Sequence, residues 1–237
     1  MKIDGIDVSE YGVKQWNLTP DYSEISNESE WISGAAVPVM QKGTTGFKKM
    51  KINIMIQGSD RQEIWQRAGA FIALLLTPRE IQFDGFDHYF YMYLCNASQA
   101  ETSLQRFHKA TLELIGYEYG AQKEYSTTAR TLVVQNEGNI LTPAVVEVVP
   151  VINLASVTLT GLVRDPNTGA DKNIVISNLT NGKSVVIDGE TGLVTESGAN
   201  KFADVELWDL PTLLPGNNTI TVDKDIKLII RHKPRFL

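Results

Sequence analysis

Alternation of apolar and polar residues along most of the chain predicts β-strands. In Lys48–Gln57, Met50 and three isoleucines alternate with Lys49, Lys51 and Asn53, so the apolar residues share one face and the polar residues share the other. Such a strand covers a core with one face and meets water or another protein with the other. Similar strands are predicted at Tyr89–Cys95 and Ala110–Tyr117.

One segment departs from this period and predicts a helix over residues 60–76. Ser59 is a good N-cap residue, Gln62 follows three positions later as in a capping box, and Thr77-Pro78 ends the run. The helix needs a sheet to cover, and the flanking strands provide one. Its apolar stripe is formed by Ile64, Ala68, Phe71, Ile72 and Leu75.

After Gly120 the chain consists of short strands separated by closely spaced turn signals, which predicts a β-sandwich. We therefore expect a mainly β protein of two domains: residues 1–122 as a β domain with one helix, and residues 123–237 as a sandwich, with a linker near Gly120–Thr128. The turns are predicted at Asn136–Asn139, Asp165–Gly169, Asn181-Gly182, Asp188–Gly192 and Pro215–Asn218.

Composition narrows the classes of function. The formal net charge of −6 gives no basic surface for nucleic acid, and the single cysteine, Cys95, excludes an internal disulfide. The N-terminal residues lack the apolar region of a signal peptide, and the apolar runs are too short to cross a bilayer. We expect synthesis in a cytosol, with no membrane partner and no stable binding of nucleic acid.

The sequence shows no motif for catalysis, cofactor binding or metal binding, so no catalytic, cofactor or metal residue is predicted. His88 and His108 would form a metal site only if neighbouring strands brought them together; the alternative is two ordinary strand histidines. Asp165–Asp171 resembles the start of a calcium loop, but the twelfth position is Ile176, and a type I turn explains the segment equally well.

Aromatic residues supply the remaining signals. Trp16 and Trp31 lie in a polar stretch that reads as loop, whereas the apolar neighbours of Trp208 favour the core. The tyrosines of Tyr89–Cys95 alternate with apolar residues, so their face is either buried within its own domain or meets another subunit, where tyrosine is enriched. The candidate interface consists of Tyr89, Tyr91, Tyr93, Lys49, Lys51 and Asn53.

The second half of the chain carries a recognisable order of segments. These segments are Asn136-Glu137-Gly138 followed by Pro143 and Val145–Val149, Ile187–Gly192, Leu213–Ile220, and the strand Ile226–Ile230 leading into Arg231–Phe236. In this order the chain resembles the distal tail proteins of siphophages and their prophage relatives, the Dit family. The strands around one helix in the first half are consistent with the same family.

This resemblance implies a structural protein of the virion tail tip, made in a bacterial cytoplasm, in which six copies form a ring. The N-terminal domain would form the ring and the C-terminal domain would be a galectin-like β-sandwich. The ring would join the tail tube protein to baseplate or tail-fibre proteins during host attachment and let DNA pass. The sandwich is too short for the long arm that grips receptor-binding proteins in some relatives. The alternative is a carbohydrate-binding module or lectin-like adhesion protein.

Overall fold

The computed structural model describes residues 1–23, 25–26, 29–30, 33–34, 36–37, 39–40, 44–99 and 107–237. Its described part is mostly antiparallel β-structure with one α-helix, which confirms the predicted fold class. The chain divides into two compact units: unit 1 is Met1–Tyr119 with Leu237, and unit 2 is Gly120–Phe236. Within the described ranges, no helix has the length and apolar character needed for membrane crossing.

Unit 1 is built on one large antiparallel sheet. Its elements are β1 (Lys2–Ile3), β2 (Ile6–Asp7), a 3₁₀ helix (Val8–Tyr11), β3 (Val13–Pro20), β4 (Ile25–Ser26), β5 (Ser29–Glu30), β6 (Val39–Met40), β7 (Thr44–Thr45), β8 (Lys48–Gln57), α1 (Arg61–Leu74), β9 (Arg79–Gln82), β10 (Tyr89–Gln99) and β11 (Phe107–Tyr119). The sheet has the order β2-β1-β9-β10-β11-β8-β3, while β4 pairs with β7 and β5 with β6. Trp16 lies at an irregularity of β3, between Gln15 and Asn17, so its predicted place in a loop is wrong, while Trp31 lies outside the described residues.

Helix α1 packs against the apolar face of this sheet. Its N-cap is Asp60, whose carboxylate accepts a hydrogen bond from the backbone N–H of Glu63 at 2.9 Å. The carboxylate of Glu63 in turn accepts hydrogen bonds from Ser59. The predicted capping box at Ser59 and Gln62 is therefore shifted by one residue. The predicted apolar stripe is confirmed, because Ile64, Ala68, Phe71 and Leu75 are buried in one core with Met50, Ile52, Ile54 and Ile56 of β8, and Ile72 is half-buried.

Unit 2 consists of two sheets that bury one shared core. Its elements are β12 (Lys123–Thr127), β13 (Thr131–Asn136), β14 (Thr142–Pro150), β15 (Leu154–Arg164), β16 (Asp171–Leu179), β17 (Val185–Asp188), β18 (Val194–Glu196), β19 (Ala199–Asn200), a 3₁₀ helix (Phe202–Asp204), β20 (Val205–Glu206), β21 (Thr212–Leu213), β22 (Gly216–Val222), β23 (Ile226–His232) and β24 (Arg235–Phe236). One sheet has the order β12-β23-β14-β17-β18-β19, with β21 beside β14; the other has the order β13-β22-β15-β16-β20.

Two details of the predicted second half are wrong. The segment expected to be a linker contains β12, whose residues pair with β23 in the sheet. Asn217 and Asn218, expected within a turn, already belong to β22 and pair with β13. In both places the strand residues carry polar side chains. An exposed strand tolerates polar side chains, and a buried amide is tolerated where it has hydrogen-bond partners.

A buried cluster of side-chain amides joins the turns at one end of unit 2. The Asn136 amide donates hydrogen bonds to Thr142 Oγ1 at 3.1 Å and to the Leu214 carbonyl at 3.2 Å, and its Oδ1 accepts from Gly138 N at 3.0 Å. Asn218 accepts from Leu214 N at 2.9 Å and donates to the Leu214 carbonyl at 2.8 Å. Buried polar groups need such partners, so these asparagines hold the turns in one arrangement.

Two glycines of the recognisable segments are required by close packing. A Cβ atom on Gly138 would lie 2.5 Å from the Arg235 carbonyl oxygen, and one on Gly189 would lie 2.4 Å from the Pro211 carbonyl oxygen. Backbone approaches this close exclude any side chain. The residues that carry the sequence resemblance are therefore residues that build the sandwich.

Candidate subunit interface

The six candidate interface residues lie on one face of the sheet of unit 1, the face opposite to α1. On β10, Phe90 and Met92 point into the core, which turns the three tyrosines between and beside them outward. Pairing places Tyr93 opposite Ile115 of β11, and Ile115 opposite Lys49 of β8. The remaining residues extend from this row in opposite directions, Tyr91 and Tyr89 along β10, and Lys51 and Asn53 along β8. We call this surface the tyrosine–lysine face.

Aromatic side chains occupy one end of the tyrosine–lysine face. Tyr91 and Tyr93 are 40% and 37% exposed, while Tyr89 is half-buried. The ring of Tyr91 lies 5.5 Å from that of Tyr117, and the ring of Tyr89 lies 5.8 Å from that of Tyr119. Tyr117 was not predicted as part of the face, although its alternation along β11 indicated it; Tyr119 lies on the same side of the strand but is only 4% exposed. Clustered tyrosines offer a large amphipathic area at low entropic cost, which suits contact with another protein.

Charged and amide groups occupy the other end. Lys51 and Glu113 form an ion pair of 3.1 Å, and the Asn96 amide donates to the same carboxylate at 3.3 Å. The hydrogen bond from Lys51, followed by that from Asn96, lowers the pKa of Glu113 below its usual value. Asn53 accepts a hydrogen bond from the Thr111 hydroxyl at 2.7 Å. This half of the face presents an ordered polar surface rather than loose charges.

The structure separates the three histidines. His88 lies 2.6 Å from Glu118 through its Nδ1 atom, beside the end of β11, whereas His108 lies at the start of β11 with its ring 5.4 Å from that of Trp65. The two histidines therefore do not meet across strands. His232 is 3% exposed in the core of unit 2, where its ring stacks on that of Tyr125 at 5.9 Å. No cluster of three potential metal ligands occurs among the described residues.

Trp208 lies in surroundings that differ from the prediction, whereas Asp165 lies in one of the two predicted arrangements. Trp208 is 64% exposed, so its predicted burial in the core is wrong. Among its Leu-Pro-rich neighbours, Leu213 is the residue that enters the core, and the ammonium of Lys172 lies 4.9 Å from the Trp208 ring centroid. The Asp165 carboxylate accepts hydrogen bonds from the backbone N–H groups of Asn167 and Thr168 and pairs with Lys172 at 3.4 Å. These bonds belong to a turn, the alternative to calcium.

Comparison with known proteins gives a likeness in fold. No protein-family model matches the chain, and no curated protein matches it. Among solved structures, the Dit (gp 19.1) protein of SPP1, described as a paradigm of the hub adsorption apparatus in phages that infect Gram-positive bacteria, has a TM-score of 0.77 and 17% identity over 98% of this chain and 97% of that chain. A chain of the phage P2 baseplate in its activated conformation with Ca has a TM-score of 0.55 and 13% identity, covering 98% of this chain and 94% of that chain. The sequence resemblance to distal tail proteins is confirmed as a shared fold.

Proposed function

We propose that this protein is a structural component of a phage tail, without catalytic activity, that forms a hexameric hub at the distal end of the tail tube. The observation that supports the proposal best is the fold shared with the SPP1 Dit hub protein along nearly the whole of both chains. A partial match would have left one unit unexplained, whereas this match includes both.

In this proposal residues 1–122 form the ring and residues 123–237 are the galectin-like sandwich. The tyrosine–lysine face supplies a contact with the next subunit, since it presents partly exposed aromatic groups and ordered polar groups on one side of the sheet. A ring made by such head-to-tail contacts uses two different surfaces of each subunit and closes when the rotation allows six copies. The ring would join the tail tube protein to baseplate or tail-fibre proteins and leave a channel for DNA during host attachment.

Native mass spectrometry and negative-stain imaging test the ring. Six copies of the 26.3 kDa chain have a mass of about 158 kDa, and the images should show a central hole. The double variant Tyr91→Ala, Tyr93→Ala should shift the mass toward the monomer. The variant Phe202→Ala removes an aromatic ring that is also exposed, but in unit 2, and should leave the mass unchanged. Monomers at every concentration for the unaltered protein would refute the proposal.

A carbohydrate-binding role is the second candidate, and one observation favours it. Trp208 presents an exposed aromatic ring beside Lys172, the kind of platform on which sugar rings pack. A glycan array followed by calorimetry decides between the two roles. Sub-millimolar sugar binding that Trp208→Ala abolishes would establish a carbohydrate-binding function. An array with no hits would exclude it and leave the tail hub as the proposed function.

A further inference from the structure

A cavity opens on the sheet of unit 1 where β3, β8 and β11 run side by side. It has a volume of about 390 Å³ and is lined by Trp16, Asn17, Asn53, Ile54, Lys109 and Ala110. The Trp16 ring is 60% exposed and forms one wall, with the Lys109 ammonium 3.7 Å from its centroid. A volume of this size holds one or two amino-acid side chains.

Two cations lie on this part of the sheet: Lys109, which lines the cavity, and Lys14, which lies on the same sheet face in β3. Lys14 and Lys109 both pair with Met55 in the strand register, so the two lysines flank it on neighbouring strands, about 10 Å apart. Neither lysine forms an ion pair with a residue that the structure describes. The Oδ1 atom of Asn53 is already engaged by the Thr111 hydroxyl, which leaves its N–H donors.

A second tryptophan–lysine pair in the same chain shows what a satisfied arrangement looks like. The Lys172 ammonium lies over the Trp208 ring in unit 2, and it also pairs with the Asp165 carboxylate at 3.4 Å. Glu113, a carboxylate on the same sheet face, is held by Lys51 and Asn96 instead. Among the described residues, the cavity in unit 1 thus has the aromatic wall and a cation but no carboxylate paired with it.

We propose that this cavity, with Lys14 and Lys109, is a docking site for an acidic loop of another tail protein that presents an apolar side chain beside a carboxylate. The apolar side chain packs on Trp16 and the carboxylate lies between the two lysines and the Asn53 amide. Charge complementarity selects this occupant, because two lysines that form no ion pair with any described residue attract a carboxylate and disfavour further cations. The proposal rests on the proposed function only for the source of the loop.

Peptide binding followed by ¹⁹F NMR tests the site. The protein labelled with 5-fluorotryptophan has four tryptophans, and the variant Trp16→Phe identifies the signal of Trp16. The probe is acetyl-Asp-Phe-Glu-amide, and its neutral counterpart is acetyl-Asn-Phe-Gln-amide. We expect a saturable shift of the Trp16 signal with a Kd on the order of 1 mM for the acidic peptide. The neutral peptide should bind roughly three- to tenfold more weakly.

Variants separate the lysines from the general charge of the protein. Replacing both lysines, Lys14→Gln with Lys109→Gln, should weaken binding of the acidic peptide by roughly three- to tenfold and remove the preference of the site for it over the neutral peptide. The control Lys172→Gln alters the tryptophan–lysine pair in unit 2 and should leave the binding of both peptides unchanged. Salt at about 0.5 M should reduce the preference for the acidic peptide, since exposed charges are then screened.

Four results would overturn the proposal. The first is the absence of a saturable Trp16 shift up to about 20 mM peptide, and the second is equal binding of both peptides. The third is a Trp16 shift produced by short duplex DNA or an oligosaccharide in place of the peptide. The fourth is a Trp16 shift that grows with protein concentration alone. The last result would make a second copy of this chain the occupant. Native mass spectra of the same samples report the ring independently, so failure of the docking site and failure of the hub can be told apart.

Discussion

Asn136 offers the sharpest test of how the sandwich is held together. Its side chain is buried and uses both ends: the amide donates to Thr142 and to the Leu214 carbonyl, and Oδ1 accepts from the Gly138 N–H. The substitution Asn136→Ala removes these bonds and leaves the buried Gly138 N–H without its acceptor, while the Leu214 carbonyl keeps the hydrogen bond from the Asn218 amide.

The expected loss of unfolding free energy follows from that donor. An unsatisfied buried donor costs about 1–3 kcal/mol, so the loss for this single N–H should be roughly 1–3 kcal/mol, with part of it relieved if water enters. Asn136→Asp keeps the acceptor for Gly138 but sets a carboxylate against the Leu214 carbonyl. We expect it to be as damaging as the alanine variant at neutral pH and milder in acid, where the carboxyl can donate.

Hydrogen exchange with mass spectrometry measures this effect in the intact chain, because it follows unit 2 separately. Amides of β14 and β22 should exchange faster in Asn136→Ala by the factor that corresponds to the lost free energy. The control Asn217→Ala removes an exposed asparagine next to the same turn and should change stability by less than about 0.5 kcal/mol. Equal effects of Asn136→Ala and Asn217→Ala would refute the argument that buried amides hold these turns.

Three further predictions concern charge. Glu118→Ala should lower the unfolding free energy of unit 1 by about 3–5 kcal/mol, because it leaves the nearly buried Lys48 without its carboxylate partner. Lys51→Ala breaks an exposed ion pair and should lower it by less than about 1 kcal/mol. Denaturant unfolding of the two variants compares these losses. Burial lowers the pKa of His232 below its ordinary value of 6.5. The contribution of His232 to the free energy of unfolding is therefore fully present above that pH, and below it the free energy falls by up to about 1.4 kcal/mol per pH unit until the folded-state pKa is reached. The variant His232→Leu should flatten the dependence of stability on pH, and an unchanged dependence would contradict this account. The chain should not bind duplex DNA at physiological salt, because its net charge is −6; an anisotropy titration that gives a micromolar Kd with a steep salt dependence would refute this.

Local periodicity predicted the elements whose packing is decided by their own residues. The alternation of Lys48–Gln57 and the stripe of α1 reproduce the buried faces that the structure shows, because one apolar face per element leaves a single way to bury it. The cap moved by one residue since Glu63, and not Gln62, reaches back to Ser59. Such a choice between neighbours depends on backbone geometry that a sequence pattern does not contain.

Long-range placement was outside the reach of those patterns. Trp208 was expected in the core from its apolar neighbours, yet the loop directs the ring to the surface, where Lys172 from another strand meets it. The cavity at Trp16 likewise combines residues of β3, β8 and β11 that are almost a hundred positions apart. The six residues of the candidate interface could be named from alternation, but their arrangement in rows across three strands needed the pairing register.

The position of β23 has a consequence for synthesis on the ribosome. This strand lies between β12 and β14, yet it is translated after nearly all of the other strands of unit 2. At about 5–20 residues per second, β12 and β14 wait several seconds with unpaired edges and an open core. Exposed edges of this kind are templates for pairing between nascent chains. A message truncated within β23 should therefore yield aggregated product rather than a shortened, soluble sandwich, and chaperone dependence should concentrate in this interval.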